Sequence, residues 1–203
     1  MGVSKIVLTG GPCGGKSTGL KKIQEVFTAR GYTVLIIEET ATELIPNGLT
    51  PGGCLSQKEY QKCQMSIQMA KESVFDYAST QIDNENILIF CDRGAMDNRA
   101  YLTEEEFVEA LEFIGYSEEE LLSHYDAVFH LVTAAKGAEE FYTTENNVAR
   151  TETVEEAAAL DDRILLAWQK HPYVRIIDNA KDFDGKIQKL MEEITYFLER
   201  EMN

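Results

Sequence analysis

The stretch GGPCGGKSTG, residues 10–19, sets five glycines around one lysine and two hydroxyls. Glycine loses more backbone entropy on folding than any other residue, so this density points to a backbone that is itself in use. Gly10, Gly15, Lys16 and Ser17 fit G-x-x-x-x-G-K-[ST], with the apolar run Ile6-Val7-Leu8 before them and a helical pattern after. The chemistry that asks for this combination is polyphosphate binding. Gly10, Gly11, Pro12, Cys13, Gly14 and Gly15 form a loop whose free N–H groups can turn toward phosphate oxygens, because side chains are small or absent where the anion must approach. The helix behind it adds unsatisfied N–H groups and a positive dipole end. In that reading Lys16, expected to be exposed at the helix N-terminus rather than packed, reaches the β- and γ-phosphates, Ser17 ligates Mg²⁺ and Thr18 bonds the α-phosphate. Cys13 is read as a filler position within the loop.

Two further acids stand where an open α/β sheet places its ligands, beyond the carboxyl ends of strands. Ile87-Leu88-Ile89-Phe90-Cys91 ends in Asp92, which can support Mg²⁺, and Arg93 follows, ready for a phosphate or a carboxylate. Thr33-Val34-Leu35-Ile36-Ile37 ends in Glu38-Glu39, either of which could accept the proton of an attacking hydroxyl. Segment 136–150 is polar and without periodicity, which marks a functional lid or disorder, and Lys136 and Arg150 are its basic residues. Arg150 is the residue expected to close on the γ-phosphate.

The elements that must hold these groups are legible as alternating runs. Ile6–Thr9, Thr33–Ile37, Ile87–Cys91, Ala127–Val132 and Val174–Ile177 are nearly continuous in apolar residues. Continuous runs indicate strands buried on both faces, hence a parallel sheet between helix layers. Helices are expected over Lys16 to Arg30, stopped by Gly31, over Ser56 to about Ile82, and at the C-terminal end around Ile187 and Leu190. In the second of these, Tyr60, Cys63, Ile67, Ala70, Val74 and Tyr77 form the stripe expected to face the core. Thr103, Ser117 and Thr153 each precede a glutamate by three residues, the capping-box pattern, which gives three acidic clusters a structural role.

Composition bounds the rest. The 203 residues suit one α/β domain, and the formal charge of −16 disfavours nucleic acid or an anionic membrane surface as the main partner. No run is long enough to span a membrane, and no signal peptide is read at the start. Cys13, Cys54, Cys63 and Cys91 form no C-x-x-C pair, and His124, His130 and His171 stand alone, so reduced thiols and a cytoplasmic location are expected, without a zinc site.

The runs LTGGPCGGKST, EETATELI, CDRGAMDNRAYL, NNVARTET and WQKHPYVRIIDNAKDFDGKI span nearly the whole chain. Together they resemble the small AAA-like P-loop ATPase and kinase family related to the nicotinamide riboside kinase domain. The resemblance implies a three-layer α/β/α fold, with a five-stranded parallel sheet of nucleotide-kinase type and a lid after the fourth strand. It favours Glu39 as the acid after the second strand, Asp92-Arg93 after the third and Arg150 in the lid. Riboside kinases of this group carry E-x-A-R where this chain has Glu39-Thr40-Ala41-Thr42. The function expected is a Mg²⁺-dependent kinase acting on a nucleoside- or nucleotide-like acceptor, with ATP as the default nucleotide and GTP left open. The alternative, favoured by Thr42, is a regulatory nucleotide-binding switch.

Overall fold

A computed structural model describes residues 2–137, 153–180 and 182–201. The chain runs β1 (Val3–Thr9), α1 (Lys16–Ala29), β2 (Thr33–Ile37), α2 (Ala41–Leu44), α3 (Gln57–Ser79) and β3 (Ile87–Asp92). A 3-10 segment (Ala95–Tyr101), α4 (Glu104–Ile114), α5 (Glu118–Ser123) and β4 (Ala127–Leu131) follow, then α6 (Val154–Ala167), β5 (Val174–Ile177) and α7 (Phe183–Glu201). Among the described residues the five strands make one sheet, ordered β2-β3-β1-β4-β5, with every pairing parallel. The expected α/β/α class is therefore what the chain adopts. No described helix is long and apolar enough to cross a membrane.

Strand alternation divides the core into two halves. Val7, Ile89 and Cys91 face one half, packed with Met65, Phe107, Leu160 and Trp168 from the helices on that side. Ile6, Leu8, Leu88 and Phe90 face the other, against Leu20, Ile23, Phe27, Leu190 and Ile194 of α1 and α7. Because side chains alternate along a strand, Asp92 shares the face of Leu88 and Phe90, the face covered by α1. All three capping boxes form: Thr103 accepts from Glu106 N, Ser117 from Glu120 N and Thr153 from Glu156 N. Gly31, with φ +89°, closes α1 behind Arg30 as expected.

Helix α3 departs from the sequence reading. It stops at Ser79, and of the stripe expected to face the core Tyr60 is buried while its later part is not: Val74 is 64% and Tyr77 69% exposed. The buried face carries Tyr60, Gln61, Gln64, Met65, Gln68, Met69 and Glu72. That face serves two neighbours: Met65 and Met69 enter the core, Tyr60, Gln61 and Gln64 border the cleft, and Gln68 and Glu72 pair with Thr40 and Tyr125. Of the segment read as a lid, Lys136 and Gly137 belong to the described residues, while Arg150 lies outside them.

The buried face of α3 has a measurable consequence. Met65→Ala, at a fully buried position, should lower unfolding stability by roughly 2–5 kcal/mol in urea titrations. Val74→Ala should change it by no more than about 0.5 kcal/mol; a larger loss would return Val74 to the core.

Candidate functional site

The loop after β1 is built around its lack of side chains. A Cβ at Gly10 would lie 2.0 Å from Leu131 O, and Gly15, the N-cap of α1, has φ +93°. Cys13 itself takes a positive φ of 55°. Successive residues in such conformations turn N–H groups toward one concavity, the arrangement that receives anions. Lys16 does not stand out in solvent, as its place at a helix start suggested. It is 8% exposed, and its ammonium donates to Gly10 O at 3.0 Å and Gly11 O at 3.1 Å. The loop carbonyls hold the charge over the concavity.

A second cation and two carboxylates close in beside it. Arg93 has φ +67°, a conformation uncommon outside glycine and concentrated at functional sites. Its Nε donates to Glu39 Oε1 at 2.5 Å and its Nη1 to Gly10 O at 3.2 Å. Between the two acids after β2, Glu39 is the one turned inward, and Glu38 is exposed. Burial disfavours the Arg93 charge, but Glu39 more than offsets this and holds the guanidinium above its ordinary range. Burial, with help from Arg93, pushes the Lys16 ammonium down to about 8, against the pull of Asp92 and Glu39. Asp92 is pushed up to about 6, first by burial and then by Glu39 and Asp97, although Lys16 and Arg93 oppose the shift. Its Oδ1 is buried without a hydrogen-bond partner.

Two acids that sequence reasoning passed over fasten this end of the sheet. Asp161 Oδ1 accepts from Gly11 N at 2.7 Å and Thr133 N at 3.3 Å, and Oδ2 accepts from Lys136 Nζ at 2.9 Å. Burial opposes its ionisation, but His130, Lys136 and the Gly11 N–H outweigh it and hold the carboxyl below the usual range. Lys136 is thus tied to α6 rather than free to reach a phosphate. Thr133 Oγ1 also donates to Pro12 O, completing the strap from the end of β4 to the loop. Asp97 Oδ1 accepts from Thr9 Oγ1 at 2.5 Å and Trp168 Nε1 at 2.9 Å, while Oδ2 accepts from Gly94 N at 2.9 Å. The available signal was spacing: Asp161 shares the buried stripe of α6 with Ala157 and Ile164.

Pro12 to Thr18, Glu39, Asp92, Arg93 and Asp97 line an open cleft of about 1800 Å³. Ligand pockets are commonly about 300–1000 Å³, so the cleft has room for more than one small ligand. On one side lie the loop, Asn179 and Lys186, whose ammonium donates to Asn179 Oδ1 at 2.8 Å and is pushed down to about 8 by burial and by Lys16. The Phe183 ring packs against Gly15, where a Cβ would meet it at 2.6 Å. On the other side lie Glu38, Glu39, Tyr60, Gln61 and Gln64. The Tyr60 hydroxyl and Gln61 Oε1 are buried without partners, a cost of about 1–3 kcal/mol each. Below them Thr40 Oγ1 donates to Gln68 Oε1 and Gln68 Nε2 to Glu72 Oε1, both at 2.8 Å.

The structure therefore brings Gly10, Gly11, Pro12, Cys13, Gly14, Gly15, Lys16, Ser17, Thr18, Glu39, Asp92 and Arg93 to one end of the sheet. Fold and loop define a nucleotide-binding P-loop protein of the α/β class. A family model described as an AAA domain matches residues 5–186, and the chain belongs to that family. Comparison with curated proteins gives no match.

A cation fits this site on the evidence of its donors. Asp92 presents a buried oxygen with no partner, and Ser17 lines the same cleft. No described group of three or more His, Cys, Asp or Glu side chains could enclose a metal by itself. That matches Mg²⁺, which keeps waters and is shared between few carboxylates and the phosphates of its nucleotide.

The position of Lys16 predicts a pH dependence. An anion prefers the protonated ammonium, so triphosphate affinity should fall as pH rises through about 8, by up to about tenfold per unit. Calorimetric titration of ATP across that range checks it; a flat profile to about pH 9.5 would show that Lys16 stays fully charged.

Proposed function

We propose that the protein is a Mg²⁺-dependent phosphotransferase that moves the γ-phosphoryl of ATP to a hydroxyl of a small nucleoside- or nucleotide-like acceptor. The observation that carries this reading is the two-sided cleft, with the phosphate loop on one wall and the Glu39–Arg93 pair on another.

In this reading residues 10–18 hold the triphosphate, and Lys16 offsets charge at its β- and γ-phosphates. Bound between Ser17, Asp92 and the phosphates, Mg²⁺ would supply charge neutralisation of the transferring group. Arg93 fixes the Glu39 carboxylate, which aligns the acceptor hydroxyl. The acceptor oxygen then bonds to the γ-phosphorus, and the bond from that phosphorus to the β,γ-bridging oxygen breaks. ADP leaves with the electron pair, and the hydroxyl proton passes to Glu39. Phosphoryl transfer has a loose transition state, so alignment and charge stabilisation weigh more than the strength of the base. Segment 136–150 would act as the lid that excludes water, with Arg150 meeting the charge of the moving phosphoryl.

The second reading, a nucleotide-dependent switch without an acceptor, draws on Thr42. Where riboside kinases of the resembling group place arginine, this side chain donates to Glu39 O at 2.6 Å and offers no charge to a substrate.

Acceptor-dependent ADP release from ATP, screened over nucleosides and mononucleotides, separates the two. Glu39→Gln should then lower that turnover by about 10²–10⁴ with ATP affinity nearly kept. Equal turnover in the two proteins would remove Glu39 from the transfer step, and no acceptor-dependent release with any compound would favour the switch.

A further inference from the structure

Tyr60 and Gln61 are each 2% exposed, yet both line the cleft. Among the described residues the Tyr60 hydroxyl and Gln61 Oε1 have no hydrogen-bond partner. Buried polar groups in folded proteins are nearly always paired, so two orphans side by side on a cleft wall are groups kept for a ligand. Gln64 stands one turn along on the same wall. Helix α3 gives its inner face to these side chains and leaves Val74 and Tyr77 to solvent. The Tyr60 phenol, pushed up to about 12 by burial and by Glu39, keeps its proton at neutral pH and so presents a donor. The Gln61 amide offers an acceptor and donors together, the set that pairs with a heterocycle edge carrying one of each.

Charge decides what such a ligand carries. From the end of β2 to α3 the lining includes Glu38 and Glu39 and no lysine or arginine. Arg93 borders this wall, but its charge is paired with Glu39, and it spends donors on Glu39 and Gly10 O. Lys16 and Lys186 stand on the side of the phosphate loop, and Lys21 is on α1. Among the described residues the one cation bordering this wall is already paired with Glu39, and Glu38 adds a negative charge that repels a second phosphate. Ile45, Pro46 and Pro51 complete the wall with flat apolar surface suited to a planar ring.

We infer that the wall from β2 to α3 seats an uncharged nucleoside-like acceptor, its base edge held by Gln61 and Tyr60, and that it rejects the corresponding 5′-monophosphate. The word acceptor rests on the phosphotransferase reading above, while the seat itself rests on the orphaned groups and the charge of the wall.

The experiment is calorimetric titration of the full chain, held with Mg²⁺ and a non-hydrolysable ATP analogue, with the common ribonucleosides and their 5′-monophosphates. At least one nucleoside should bind at least about tenfold more tightly than its own monophosphate. Tyr60→Phe and Gln61→Met, which keep size and remove only polar atoms, should each weaken that nucleoside by about tenfold. Binding of the ATP analogue serves as the folding control for both variants. The inference is overturned if monophosphates bind more tightly than their nucleosides, if no ribonucleoside binds at about 1 mM, or if both variants bind like the parent. The two claims fail separately. Nucleoside binding without acceptor-dependent ADP release would keep the seat and remove the phosphotransferase, whereas turnover on a monophosphate alone would do the reverse.

Discussion

Two cations and two carboxylates share one largely buried volume at the carboxyl end of the sheet: Lys16, Arg93, Asp92 and Glu39. None of them is cheap to bury alone, because a charge taken from water costs several kcal/mol unless it is paired. Together they partly offset one another, and the residual imbalance shows in the titration of Lys16 and Asp92. Lys16 is pushed down to about 8 and Asp92 up to about 6, so both are held short of full comfort in their charged forms. A polyphosphate with its cation supplies the missing partners: anionic oxygens for Lys16 and a divalent charge for Asp92. The site is pre-organised by being left incomplete.

The surrounding fold reads as the means of holding that group still. Glycines let the loop pass beneath Leu131 O, where any side chain would collide. Asp161 binds the loop amide of Gly11 and the end of β4 at once, so loop and sheet cannot drift apart without leaving a buried carboxylate unpaired. Asp97 does the same for Thr9, Gly94 and Trp168. Gln68 ties Thr40 on the β2 side to Glu72, which also accepts from the Tyr125 hydroxyl at 2.7 Å. These buried polar contacts set positions more than they add stability, since a hydrogen bond contributes only about 0.5–1.5 kcal/mol net but costs more when broken on one side.

The sheet was legible because its strands are apolar on both faces, so each appears as a short unbroken run; β2 and β5 match theirs residue for residue. The phosphate loop was legible because its spacing is local. Three capping boxes were legible for the same reason. What failed was everything set by distant neighbours. The apolar stripe of α3 was only partly right, because its inner face is shared between the core, which takes Met65 and Met69, and the cleft, which takes Gln61 and Gln64. Lys16 was expected in solvent, and the two loop carbonyls that bury it are visible only once the loop has closed. The spacing of Asp161 with Ala157 and Ile164 marks it as the buried one of the Asp161-Asp162 pair, but nothing nearby in sequence announces that it meets a glycine amide. Glu38 and Glu39 could not be told apart until Arg93 came across from the neighbouring strand.

The account stands on Asp92 as a carboxylate awaiting a cation that arrives with nucleotide. Its most direct test is a Mg²⁺ titration of ATP-analogue binding in the parent protein and in Asp92→Asn, which keeps the shape and removes the charge. The account predicts that the Mg²⁺ concentration for half-maximal binding rises by about 10- to 100-fold in the variant. Superimposable titrations would contradict it, and would make Asp92 a structural end to its strand rather than part of the phosphate site.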